Sequence, residues 1–427
     1  MISSQTAPFK VVICGAGIAG LCAGIGLAKQ GHSVTILESA QELAAVGIGI
    51  HIPPNATLVL RHFGILEKFS EDAIHPTSFV FRRWADGSVI GKVPVRRPAQ
   101  DDSAPYWSIR RSDYQRHLYE AAVEAGCQVR LGARVEALNE DIPSVALTGG
   151  EILHAHLIVV ANGIKSKLRD FVIPEEDVSM VINPLSSYRA YLDKADLLSD
   201  PITAPVFQET ATNVWAGYGR HVIVYPCGGN VFTLGATHPA KELEAMEWNR
   251  SANPEQAQEE YRDWNPVVSR VLFHAKDVKI WRLAEVPRLP RWTSKSGKVV
   301  LMGDTAHGMV QFLAQGAAMA TEDAAALAEC VDRAKSSSHI PAVLRAYERS
   351  RKWRCEIVQA QSRRNGDMLH MPDGEEQENR DRKMAGLAQS GMWEADTGPM
   401  IDADFRKFLY GHNVVQHTRK ILDLLKL

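Results

Sequence analysis

No pair of cysteines in this chain has the spacing of a redox or zinc motif. The six stand apart at 14, 22, 127, 227, 330 and 355, with no CxxC and no Cys/His cluster. Buried free thiols in a reducing compartment are expected rather than a disulfide framework. Charge of one sign is missing too: 48 lysines and arginines face 50 acids, for a net charge of -2. That balance gives no field to hold nucleic acid or an anionic membrane. No window approaches about 18 uninterrupted apolar residues, so no membrane span is expected. The opening MISSQTAPFK lacks the apolar core of a signal peptide. There is no repeat and no long low-complexity tract. A cytoplasmic protein is the expectation.

What is present begins with FKVVICGAGIAGLCAGIGLAKQGHSVTILE, residues 9–38. A buried strand over 9–14, a helix over 18–30 and a second strand over 33–38 make a βαβ unit. Its turn, Gly15-Ala16-Gly17-Ile18-Ala19-Gly20, is G-x-G-x-x-G placed between strand and helix, the context that makes the pattern specific. Gly15 permits the tight turn, Gly17 lets the backbone approach a pyrophosphate, and Gly20 lets helix and strand pack closely. The helix N-terminus offers free N–H groups to the phosphates. Glu38, ending the second strand, accepts hydrogen bonds from a ribose and disfavours a 2′-phosphate. The nucleotide is expected to be FAD or NAD rather than NADP.

Further along, Ser112 and Gln115 have the spacing of a capping box for a helix closed by Gly126. After about residue 175, runs such as YRAYL, VWAGYG, HVIVYP and VFTLGAT recur at strand spacing and predict a mostly antiparallel sheet. A single helical stretch is predicted over 254–274. KVVLMGD returns to a buried strand, followed by a long alanine-rich helix, and the chain from 340 onward reads helical. MPDGEEQENRDRK reads as a loop or an exposed helix start.

Four motifs in order, VGIGIHIPPNATLVL, SIRRSDYQRHL, VVANGIKSKLR and VLMGDTAHGMVQFLAQGAAMATEDAAAL, decide between FAD and NAD. Together they resemble the single-component FAD-dependent aromatic hydroxylases, the class A flavoprotein monooxygenases, in the branch with salicylate-hydroxylase-like enzymes of secondary metabolism. The resemblance covers about residues 9–330, and FLYGHNVV in the tail is similar to that branch's ending. It implies an α/β fold: a Rossmann-like FAD-binding domain, an inserted mostly antiparallel β-sheet substrate domain, and a C-terminal helical region. The expected segments are 1–175 and 291–335 for the FAD-binding domain, 176–290 for the sheet and 336–427 for the helices. FAD is the implied cofactor and NAD(P)H the co-substrate, needing no second G-x-G-x-x-G. No metal site is implied. The implied partner is a small aromatic or polycyclic molecule, and the expected state is a monomer or homodimer.

Residue by residue, the resemblance implies that Gly15, Gly17 and Gly20 hold the pyrophosphate and Glu38 the adenosine ribose. Gly49 lies in the stretch that would border the cofactor. Arg111 should contact FAD, Asp304 the ribityl chain, and the backbone at Gly316 and Ala317 the flavin ring. In such enzymes NAD(P)H reduces the flavin, which then delivers one atom of O2 to an electron-rich ring or alkene. The protein supplies orientation, a dry cavity and an acid or base. Arg189 would hold a phenolate or enolate, His51 would act as a base, and Tyr225 would line the pocket. The plain alternatives are a strand charge, a core histidine and a packed ring.

Three positions depart from the family pattern. Asn162 replaces an aspartate, Gln311 a proline and Ala314 a glycine. Asparagine keeps an oxygen able to cap the next turn. The departures leave open a flavin-fold isomerase or cyclase with vestigial FAD, or a non-enzymatic flavin-binding protein.

Overall fold

The computed structural model describes residues 8–43, 48–95, 104–241, 249–390 and 399–427. Most of MISSQTAPFK and the first two residues of VGIGIHIPPN lie outside them.

Five short parallel strands form the first sheet, in the order Val299–Leu301, Leu157–Val160, Lys10–Cys14, Ser33–Leu37, Gln128–Arg130. Leu157–Val160 and Val299–Leu301 are buried along their whole length. Unbroken apolar runs of this kind suit a parallel sheet covered on both faces. The helix Ile18–Lys29 packs against the alanine-rich helix Gly316–Asp332. Small residues allow this approach: a Cβ on Gly26 would stand 3.0 Å from that of Ala328.

The second sheet has eight strands. In order they are Asn249–Ser251, Lys276–Glu285, Val181–Asp193, Val231–Pro239, Arg220–Pro226, Thr212–Gly217, Ser78–Arg83 and Val89–Pro94. All pairings are antiparallel except that of Thr212–Gly217 with Ser78–Arg83. The 176–290 segment supplies six strands; the other two come from residues 78–94, between the nucleotide motifs. Period-two alternation gives the sheet two jobs. Tyr188, Ala190, Val222 and Val224 face a core closed by the helices Pro254–Glu260 and Pro266–Phe273. Arg189, His221, Ile223 and Tyr225 face a cavity.

Two local expectations are corrected. The stretch 254–274 is two helices, because Pro266 takes the first turn of the second and Asn265 caps it, accepting from Val267 N at 3.1 Å. The capping box is not formed. The helix Arg111–Glu124 begins one residue before Ser112, and Gln115 instead donates to the carbonyl of Ala16 at 2.8 Å. MPDGEEQENRDRK is a turn leading into the helix Glu375–Ser390. All six cysteines are buried and unpaired. Among the described residues no helix is long and apolar enough to cross a membrane.

Candidate active site

One cavity of about 940 Å³ runs from the glycine-rich turn to the face of the eight-stranded sheet. Its first half is made of backbone. Gly15 has φ +110, and a Cβ there would lie 2.5 Å from the carbonyl oxygen of Ala161. A Cβ on Gly20 would lie 2.0 Å from the oxygen of Gly15. At Gly17, by contrast, a Cβ would meet nothing within 4 Å: this backbone borders open space. No side chain caps the helix that Gly17 starts, so its first N–H groups remain for a ligand. Glu38 holds the turn in shape. One carboxylate oxygen accepts from Ala16 N and the other from Ala40 N, both at 2.9 Å.

Further in, Arg111 starts its helix at the cavity wall. Burial lowers its pKa, and the facing charge of Asp304 opposes that shift. Asp304 follows Gly303, whose φ of +60 and close contact with Ala19 require glycine. The Asp304 side chain is exposed in the cavity, so it needs no sealed partner, and the charge of Arg111 faces it across the space. The helix Gly316–Asp332 points its uncapped N-terminus here, with Gly316 and Ala317 in the wall. Free N–H groups at both ends, a carboxylate beside the turn and an arginine between them fit FAD.

Asn162 lines the same half and is exposed. It does not cap the next turn: Gly163 O accepts from Ser166 N, and Thr305 Oγ1 accepts from Gly163 N at 3.0 Å. Arg169, buried, ties that loop to the carbonyls of Thr305, Val178 and Ile164. Ala314 has φ +53 and ψ 34, the left-handed region in which a Cβ costs about 1 kcal/mol.

The second half is made of side chains. Phe79, Phe81, Val214, Ile223, Phe312 and Leu369 give it an apolar, aromatic wall. Arg189 is half-buried over the ring of Trp281 at 5.3 Å, and its Nε has no partner among the described residues. Burial pushes its pKa down to about 10. Tyr225 donates its hydroxyl to the carbonyl of Gly49 at 2.6 Å. Gly49 is wedged: a Cβ would sit 2.5 Å from that of Cys227. His51 packs tilted against Tyr225, with ring centroids 4.1 Å apart and both nitrogens sealed and unpartnered, and burial pushes its pKa down to about 3. Arg189, His51 and Tyr225 therefore meet at one cavity: Tyr225 is committed to Gly49, while Arg189 Nε and both nitrogens of His51 are without partners among the described residues.

His221 was missed from the sequence. It lines the cavity and is hydrogen-bonded to His370, Nδ1 to Nε2, at 2.7 Å. The signal was available, since His221, Ile223 and Tyr225 alternate along one strand. Gln311 stands in the wall nearby.

Behind the alanine-rich helix lies a buried ionic network. Glu322 pairs with Arg351 and Arg354, and Asp323 with Arg351 and His307. Burial lowers the pKa of His307, but Cys355 and Asp323 together hold it well above the usual histidine value. His307 thus helps lock the Gly303 turn through Asp323, which also accepts from Gly303 N.

A dinucleotide cradle opening into an aromatic chamber defines a flavin-dependent oxidoreductase. The chain belongs to the FAD binding domain family, which matches residues 8–362, and within it to the class A flavoprotein monooxygenases. It is 33% identical to the FAD-dependent monooxygenase OpS4 of Beauveria bassiana, covering 96% of each chain. It is 29% identical to the 3-hydroxybenzoate 6-hydroxylase of Polaromonas naphthalenivorans, covering 97% of this chain and 98% of that protein. Its fold is that of a salicylate hydroxylase solved with substrate, with a TM-score of 0.79 at 22% identity over 97% and 98% of the two chains. The protein is an FAD-dependent monooxygenase, so the departures at Asn162, Gln311 and Ala314 do not make it a non-oxidative relative.

Proposed function

We propose that this enzyme uses NAD(P)H and O2 to hydroxylate an electron-rich aromatic small molecule of secondary metabolism. The observation that carries the reading is the continuity of the cavity. The uncapped helix ends and the aromatic chamber share one space, with Arg189, His221 and Gln311 on its wall. Bound FAD supplies the hydride acceptor and the O2 chemistry.

The chain's own residues divide the remaining work. Gly15, Gly17 and Gly20 hold the pyrophosphate and Glu38 the adenosine ribose. Arg111 and Asp304 would hold the middle of the cofactor, and the uncapped helix start at Gly316 and Ala317 would stabilise negative charge on the reduced flavin. Arg189 holds a phenolate by charge-assisted hydrogen bonding. His221 accepts the phenolic proton, since its Nε2 is unpartnered yet not sealed. Tyr225 and His51 form the chamber floor. Gly49 keeps that floor close to the cofactor side.

Purified protein should be yellow with FAD. Given a phenolic substrate, it should consume NAD(P)H and O2 and release a product one oxygen atom heavier. Turnover that continues without O2 would overturn the reading.

A further inference from the structure

We propose that His370 completes a proton relay, carrying to the outer surface the proton that His221 takes from the substrate. This rests on the reading of His221 as the substrate's base. The geometry comes from two distant segments. His221 sits on the strand Arg220–Pro226 and faces the cavity. His370 is the cap residue at the C-terminus of the helix Ile340–Leu369. The rings stack at 5.0 Å, and Phe312 meets both edge-on, at 5.3 and 5.8 Å.

Each ring has one nitrogen in the shared hydrogen bond and one outside it. Neither outer nitrogen, His221 Nε2 nor His370 Nδ1, has a partner among the described residues, and neither is sealed. Both nitrogens of His51, by contrast, are sealed. His221 opens to the cavity. His370 is half-buried and is not among the residues that line the cavity.

The protons balance. At rest Nδ1 of each ring carries the hydrogen, and both rings are neutral. The substrate O–H bond breaks and a bond to His221 Nε2 forms. The Nδ1 proton of His221 moves to His370 Nε2, and the Nδ1 proton of His370 leaves to water. The substrate keeps the electron pair as its phenolate, held by Arg189. Return of a proton along the same path resets both tautomers.

The surroundings suit transit rather than storage. Burial lowers the pKa of both rings, that of His370 to about 4, so neither retains the proton. No ion pair of either ring is found among the described residues. The charged residues close to them in sequence pair elsewhere: Arg220 with Asp263, and Asp373 with Arg83. Gly219 N fixes the position by donating to the carbonyl of His370 at 3.2 Å. The helix carbonyls behind His370 favour positive charge passing through its ring.

The test mixes FAD-loaded enzyme with 4-nitrophenol and follows the phenolate colour of the bound probe. Wild type should ionise it rapidly, with a bowed dependence of rate on the D2O fraction, as two moving protons require. His370→Phe should slow ionisation about tenfold, make that dependence linear, and leave probe affinity unchanged. His370→Ala should regain the rate with added imidazole, which a packing defect would not. Ionisation at the wild-type rate in both His370 variants, with His221→Phe inactive, overturns the relay and leaves the base intact. Unchanged ionisation in His221→Phe, or no ionisation by wild type, overturns the base and the relay together.

Discussion

The two halves of the cavity are built by different means. The cofactor half is mostly backbone: glycines that admit close approach, two uncapped helix ends and a carboxylate bracing a turn, with Arg111 and Asp304 as its charged side chains. The substrate half is side chains brought from strands at 78–83, 181–193, 212–217 and 220–226 and from the loop at 309–314. A backbone site tolerates almost no change at its glycines and is indifferent to most neighbours. A side-chain site can be rewritten residue by residue while the sheet stands. The first half fixes which cofactor is held; the second is free to follow the substrate.

The sharpest break in this contrast is Gly20→Ala. Its Cβ would lie 2.0 Å from a carbonyl oxygen that cannot move without opening the turn. About 3 kcal/mol of stability should be lost, and purified protein should be colourless. Retained flavin absorbance would show that the turn can yield.

Acid should strike the other half. His51 and His221 are buried, His370 is half-buried, and all three are neutral, with pKa values depressed from 6.5 to about 3 for His51, well below 6.5 for His221, and about 4 for His370. The unfolded chain binds more protons in that window, so stability should fall as pH drops below about 6.5 and continue falling to about 4. Each histidine contributes at most roughly 1.4 kcal/mol per pH unit. Denaturant midpoints of the holoenzyme across this range measure the slope, and His51→Phe should remove one histidine's share. An unchanged slope would mean that His51 is protonated in the fold.

Asn162→Asp tests the cradle more gently. The side chain is exposed and caps nothing, so FAD affinity should change by only about threefold. Loss of flavin would mean that the asparagine makes a contact the charged form cannot.

Ala314→Gly is the smallest change. Relief of the left-handed backbone, about 1 kcal/mol, is partly offset by glycine's extra freedom when unfolded, about 0.5 kcal/mol. A rise of a degree or two in Tm is expected. A fall would show that the Ala314 methyl packs usefully against the chamber.

The same contrast explains what could be read from the sequence. Gly15, Gly17, Gly20 and Glu38 act within one local βαβ unit, so their spacing carries their meaning. Asp304, Gly316 and the return strand were legible because GDTAH and the alanine-rich helix are also continuous. Gln115 has capping-box spacing, yet it serves Ala16, 99 residues away, and no local pattern shows this. The strands at 78–83 and 89–94 sit among nucleotide motifs but pair into the other sheet, a choice made by tertiary packing. His221 could have been found by applying the two-residue strand period to Tyr225. His370 could not, because it lies 149 residues further on, at a helix end. Ala314 stood out as a departure, but only its φ explains why glycine is usual there.

The order of the first sheet has a consequence for how the enzyme is made. The strand Lys10–Cys14 leaves the ribosome early, yet its neighbour Leu157–Val160 pairs onward with Val299–Leu301. The uncapped helix end in the cavity wall begins only at Gly316. At 5–20 residues per second, about 300 residues take on the order of 15–60 s to synthesise. The glycine-rich turn spends that time without its far wall. Cofactor loading is therefore a late event of biosynthesis, and a truncated nascent chain would carry the fingerprint of a flavoprotein without being able to become one.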